Sequence, residues 1–203
     1  MTTPISDGPD DQLTRALSAT EGLVAAVRDD QWAAPTGCPG WNVRDLLNHL
    51  VGGNQAFAAI LAGRAPSDPA ADHLGDDPIA AHHAAGEALR TAFVQPRVMD
   101  RVFTVPAGTV PGAIALHLRL TEILVHGWDL ARATGQPTTG LPADLVDQEL
   151  AFSRVQIEKL PPDRYPFAAP QPVDDDAPAI DRLAALLGRP AATEAQATRE
   201  QRR

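Results

Sequence analysis

The chain has 203 residues, 44% of them hydrophobic and 21% charged, which suits one soluble globular domain able to bury a substantial core. A net charge of −9 and a pI of about 5.0 argue against nucleic acid or an anionic membrane as partner, since either demands a basic face. The single cysteine, Cys38, excludes an intramolecular disulfide and a multi-cysteine zinc site, and no apolar run reaches membrane-spanning length. The polar, acidic opening MTTPISDGPDDQ is unlike a signal peptide, so the expected location is the cytoplasm.

Helical periodicity dominates the chain. Leu13, Leu17, Leu23, Val24 and Val27 predict a first helix over Asp10–Asp29. TGCPGW, Thr36–Trp41, is a turn rich in Gly and Pro. Asn42, with Asp45 three residues on, forms a capping pair for a second helix that runs to Ala62. A loop rich in Pro and Asp leads to a third helix over Asp77–Val94. Met99–Val105 alternates apolar and polar residues and reads as one or two short strands or an extended arm, closed by PAGTVPG.

The fourth helix is expected over Ala113–Ala133, stopped by Gly135, and the fifth over Pro142–Lys159. Pro161–Pro178, rich in proline and aspartate, is expected to wrap over the surface and to lead into a short helix, Ala179–Leu187. Ala192–Arg203 is polar and expected to fray. Long helices with short links predict an all-α antiparallel bundle over residues 1–160. Residues 161–190 would be the wrap and short helix of the same domain, and 191–203 a flexible tail.

Charged residues inside the apolar run TEILVHGWDLA need explaining. At 100° per residue, His126 lies about 40° from Glu122, Asp129 about 20° to the other side, and Arg119 about 60° away. This narrow polar stripe has two readings. It is either the solvent face of an amphipathic helix with an Arg119–Glu122 pair, or part of a metal site, since residues four apart bring their side chains together. A third ligand would have to come from another helix. His49, in WNVRDLLNHLVGGN, is the best candidate, and Gly52 and Gly53 beside it allow close approach; a half-buried core histidine and a close helix crossing are the alternatives. His117 lies nearly opposite the stripe, His82 and His83 point apart and are expected to be exposed, and His73 sits in the polar loop, so none of these is expected to be a ligand.

CPGWNVRDLLNHLVGGN, followed by TEILVHGWDLARATGQ and the tail FAAPQPVDDDAPAIDRLAALLGRP, resembles the DinB-like superfamily. Within it, the chain more closely resembles metal-binding proteins related to the mycothiol-dependent maleylpyruvate isomerase N-terminal domain. The resemblance runs from Leu13 to Pro190. It implies a DinB-like four-helix bundle holding a divalent metal, usually zinc, through a His on the second helix and a Glu–His pair four apart on a later one. Those positions are His49, Glu122 and His126. The full isomerase carries a further C-terminal domain that contributes to its active site. Only about 40 residues follow the fifth helix here, too few for such a domain, so isomerase activity is not expected to carry over even with an intact metal site.

Asp129, from its spacing, is placed to orient a ligand or bound water; its alternative is a helix pair with Arg132. Trp41 and Arg44 are placed at the mouth of the site, Trp41 as a binding residue, with a core role as the alternative for Trp41. The expected function is a metal-dependent thiol transferase, activating a low-molecular-weight thiol such as mycothiol for attack on an electrophilic substrate. Cys38 is not needed as its nucleophile. A zinc hydrolase using metal-bound water and a non-catalytic metal-binding module are the alternatives. A homodimer is compatible with the sequence.

Overall fold

The structure is a computed structural model that describes residues 8–159 and 167–190. The expected tail over 191–203 and the start of the wrap, 161–166, lie outside the described residues.

Helix α1 spans Pro9–Ala25, with Pro9 in its first turn and Asp10 and Asp11 complementing the positive end of its dipole. It stops short of the expected Asp29. Asp29 and Asp30 would put negative charge at the negative end of the helix, and the chain instead makes a 3₁₀ turn over Asp29–Gln31. Gln31 accepts from the Arg28 amide at 3.0 Å and donates to the Thr134 carbonyl at 2.8 Å. Helix α2, Val43–Leu61, opens on the expected capping box: Asn42 Oδ1 accepts from the Asp45 amide at 2.9 Å and Asp45 Oδ2 from the Asn42 amide at 3.0 Å. Helix α3, Pro78–Phe93, is capped by Asp77, whose Oδ1 accepts from the Ala80 amide at 3.0 Å.

The extended segment is an antiparallel hairpin, β1 Val102–Val105 and β2 Gly108–Pro111, with Val102 opposite Pro111 and Val105 opposite Gly108. The PAGTVPG stretch therefore supplies a second strand as well as the turn. Gly112 then starts helix α4, Gly112–Thr134, where a Cβ would lie 2.0 Å from the Val98 carbonyl oxygen. Only glycine lets the chain turn this tightly from hairpin to helix.

Helix α4 is the centre of the molecule. It packs against α1 and α2 on one side and against α5, Ala143–Lys159, and α6, Ala179–Leu186, on the other. Helices α1 to α4 enclose a core that includes Leu13, Leu46, Leu47, Leu89, Phe93, Leu120 and Ile123. Ala115, Leu116, Leu120, Leu124, Val125, Trp128 and Leu130 are buried around its circumference. A helix packed on all sides has no broad solvent face for a polar stripe, and Glu122 is itself half-buried where α2 crosses. Arg119, His126 and Asp129 are all buried, so the amphipathic-surface reading of the stripe is excluded. No helix among the described residues is long and apolar enough to cross a membrane.

Candidate metal centre

Where α2 crosses α4, His49 faces Glu122 and His126. His49 Nε2 and His126 Nε2 each lie 3.3 Å from Glu122 Oε2, and the two imidazole rings meet edge to face at 5.1 Å. One donor atom from each residue falls within 4.8 Å of the others. The side-chain exposure grades from 41% for His49 through 26% for Glu122 to 5% for His126, so the cluster opens to solvent on the α2 side and is closed behind.

Glu122 is electrostatically prepared for a cation. Burial pushes the Glu122 carboxyl up, but hydrogen bonds from His126 and His49 and the charge of Arg119 hold it well below its ordinary range. Burial pulls His126 down, yet its hydrogen bonds with Asp129, Cys38 and Glu122 raise it to about 10. Without an ion, a proton on His126 thus supplies positive charge between two carboxylates. Two imidazole nitrogens and an ionised carboxylate converging on one point are the donor set of a zinc site, so the residues fit a divalent ion.

Asp129 lies behind His126. Its Oδ2 is 3.0 Å from His126 Nδ1, which leaves Nε2 turned toward Glu122. Asp129 does not pair with Arg132, whose guanidinium lies 5.8 Å from the Trp128 ring centroid. Instead it accepts from Arg189, with Nη2 at 3.0 Å, and from Cys38 Sγ at 3.4 Å. Sequence reasoning missed Arg189 and the contact with Cys38. Arg189 comes 60 positions after Asp129, and helical spacing carries no information across that distance.

Trp41 stands at the centre, its ring 4.7 Å from His49 and 6.2 Å from His126. Arg44 is tied to the loop before α3. Its guanidinium is held by Asp72 Oδ2 and the Gly75 carbonyl, each at 3.1 Å, because the loop before α3 folds back over that side of α2. The glycines of α2 make room for two side chains: a Cβ on Gly53 would lie 2.3 Å from Arg119 Nη1, and one on Gly52 2.6 Å from His73 Cδ2.

The other histidines lie elsewhere. His117 faces α5, with Nδ1 2.8 Å from Glu149 Oε1 and its ring stacked on Phe152. His83 is exposed beside Glu21. His82, expected to be exposed, is buried between α3 and α1, with Nε2 3.3 Å from Thr20 Oγ1. Adjacent residues on a helix point about 100° apart, and here one of the pair falls on the inner face.

A mostly α-helical bundle of this kind, with a small hairpin leading into its central helix, is a DinB-like fold. Residues 13–131 match the family described as the mycothiol maleylpyruvate isomerase N-terminal domain, and the chain belongs to that family. Two Mycobacterium tuberculosis proteins, uncharacterized protein MT0763 (strain CDC 1551 / Oshkosh) and uncharacterized protein Rv0738 (strain ATCC 25618 / H37Rv), are each 40% identical to it over 176 residues, covering 86% of this chain and 94% of theirs. The crystal structure of mycothiol-dependent maleylpyruvate isomerase is similar with a TM-score of 0.57 at 20% identity, over 74% of this chain and 71% of that one. A histidine-to-alanine mutant of that enzyme gives the same TM-score of 0.57 at 18% identity. At such identities the likeness is one of fold.

Proposed function

We propose that this chain is a divalent-metal-dependent enzyme that activates a low-molecular-weight thiol for attack on an electrophilic substrate, with His49, Glu122 and His126 holding the ion. The observation that carries the reading is the convergence of His49 Nε2 and His126 Nε2 on Glu122 Oε2 at 3.3 Å each. Zinc suits this donor set, and three ligands leave one position of a tetrahedral ion for an exchangeable group. Family membership, and the solved relatives' description as mycothiol-dependent, support a mycothiol-type thiol as that group. A bound zinc ion would supply a Lewis acid that lowers the pKa of such a thiol toward neutrality.

The chain's own residues do the positioning. Asp129 accepts the proton on His126 Nδ1 and so keeps Nε2 directed at the centre. Glu122, kept anionic by its neighbours, offsets part of an ion's charge. Trp41 walls the centre beside His49 and gives an apolar surface on which a ligand can rest. The solvent-facing side of His49 and Glu122 is the way in for a small molecule.

Cobalt substitution tests this reading. The unmodified chain is expected to bind about one cobalt ion, and a small thiol to add a sulfur-to-cobalt charge-transfer band in the near ultraviolet. Cobalt binding with no thiol-dependent band at any pH where the protein is folded removes the thiol and keeps the metal centre.

A further inference from the structure

We propose that Arg189 is a positioning residue of the metal centre, acting through Asp129 on His126, so that the C-terminal strap, residues 167–190, supplies part of the site. This rests on the metal-centre reading above. The contacts are direct: Arg189 Nε lies 3.3 Å from both Asp129 oxygens, and Nη2 lies 3.0 Å from Oδ2, the same oxygen that faces His126 Nδ1 at 3.0 Å. A guanidinium fork fixes the plane of a carboxylate as well as its charge. Asp129 is fully buried, so without that fork its orientation would rest on His126 and Cys38 alone.

The strap is built to deliver this side chain. Leu187 is buried in the core, and Gly188 turns the chain with φ +84. A Cβ at Gly188 would lie 2.6 Å from the Ala168 carbonyl oxygen, so the two ends of the strap close on each other only because this residue is glycine. Arg189 then passes over the Phe167 ring and donates Nη1 to the Leu187 carbonyl at 3.0 Å. Anchoring does not require Arg189 at the centre, because the strap has a separate tie to α4: Trp128 Nε1 donates to Asp181 Oδ1 at 2.6 Å. The matched family region, residues 13–131, ends before the strap, so this contribution lies outside it.

The test measures the cobalt dissociation constant by chelator competition, the visible d–d spectrum, and the melting temperature in the full chain. Arg189→Met is expected to weaken cobalt binding about tenfold or more and to alter the spectrum, the usual effect of removing a group that orients a ligand. Arg189→Lys, which keeps the buried charge without the fork, should weaken binding less. Asp181→Ala cuts the other anchor and should lower the melting temperature while leaving affinity and spectrum unchanged. Unchanged affinity in Arg189→Met overturns the proposal, as does equal weakening in Asp181→Ala. If Arg189→Met does not fold, the lysine variant decides, and wild-type affinity there overturns it. Failure of the unmodified chain to bind cobalt overturns the metal centre itself and this inference with it, a result seen before any variant is made.

Discussion

The Arg119 guanidinium lies directly over Gly53, at a distance where a single added methyl would collide with Nη1 at 2.3 Å. Arg119 is buried, its Nε and Nη2 have no hydrogen-bond partner, and its charge helps hold Glu122 ionised. In a mid-helix position Gly→Ala ordinarily stabilises by about 1 kcal/mol. Gly53→Ala should instead destabilise by about 1–2 kcal/mol, because the buried guanidinium must shift from its place over the Phe57 ring to admit the methyl. In an Arg119→Met background the same change should regain its ordinary stabilising sign. Urea titration of the four proteins checks this, and the same sign in both backgrounds would show that Arg119 does not determine the residue at 53.

Two histidines on α4 should separate metal binding from stability. His126→Ala removes a proposed ligand and should abolish tight binding of zinc or cobalt. His117→Ala removes a partner of the buried Glu149 and a stack on Phe152, and should cost about 1–3 kcal/mol of stability while binding metal as before. Metal content after dialysis and chemical denaturation of each variant measure the two effects. Equal metal loss in both would mean that the ion sits elsewhere.

The parts of the fold that were legible are those governed by local rules. The Asn42–Asp45 cap, the Gly135 stop and the 3.6-residue period place α2 and α4 within a residue or two. The relation of Glu122, His126 and Asp129 is helical spacing and was likewise readable. The direction of that stripe was not readable from α4 alone, since a polar stripe on a helix with apolar residues elsewhere looks the same whether it faces solvent or another helix. Only the resemblance resolved it. His82 went wrong for a related reason: it is placed by what packs on its helix, the inner face against α1, just as Arg44 is held by the folded-back loop with Asp72. Arg189 depends on a strap closing over α4, which no local pattern encodes.

Chelation should lower the melting temperature without unfolding the protein. An ion that binds only the folded chain stabilises it by about 4 kcal/mol when present at a thousand times its dissociation constant. Removing the ion removes that term. The apolar core of α1–α4 does not include the proposed ligands and should hold the fold alone. Far-ultraviolet circular dichroism with and without chelator is the measurement. Loss of helical signal at 25 °C would point to a structural metal.

His82 should make the protein sensitive to mild acid. Its ring is buried, its Nε2 lies 3.3 Å from Thr20 Oγ1, and its Nδ1 has no hydrogen-bond partner. Burial lowers its pKa first of all; Glu21 pulls it back up, and His83 and Arg119 lower it further. The folded protein therefore holds His82 neutral, while in the unfolded chain it titrates near its ordinary value of about 6.5. The unfolded state binds the extra proton first as pH falls, so stability drops from about pH 7 downward until the folded-state pKa is reached, at up to about 1.4 kcal/mol per pH unit. His126 has the opposite sign without metal: its raised pKa of about 10 gives stability that is complete below about 6.5 and lost toward 10. Comparison with a variant isolates the His82 contribution. His82→Leu keeps the site apolar, and the Thr20 hydroxyl retains the Ala16 and Leu17 carbonyls at 3.1 and 3.0 Å, so no buried group is orphaned. Between pH 7.5 and 5.5 the wild type should lose stability more steeply than His82→Leu, measured by urea unfolding in matched buffers. Parallel curves would mean that His82 takes up its proton as readily in the folded protein as in the unfolded chain.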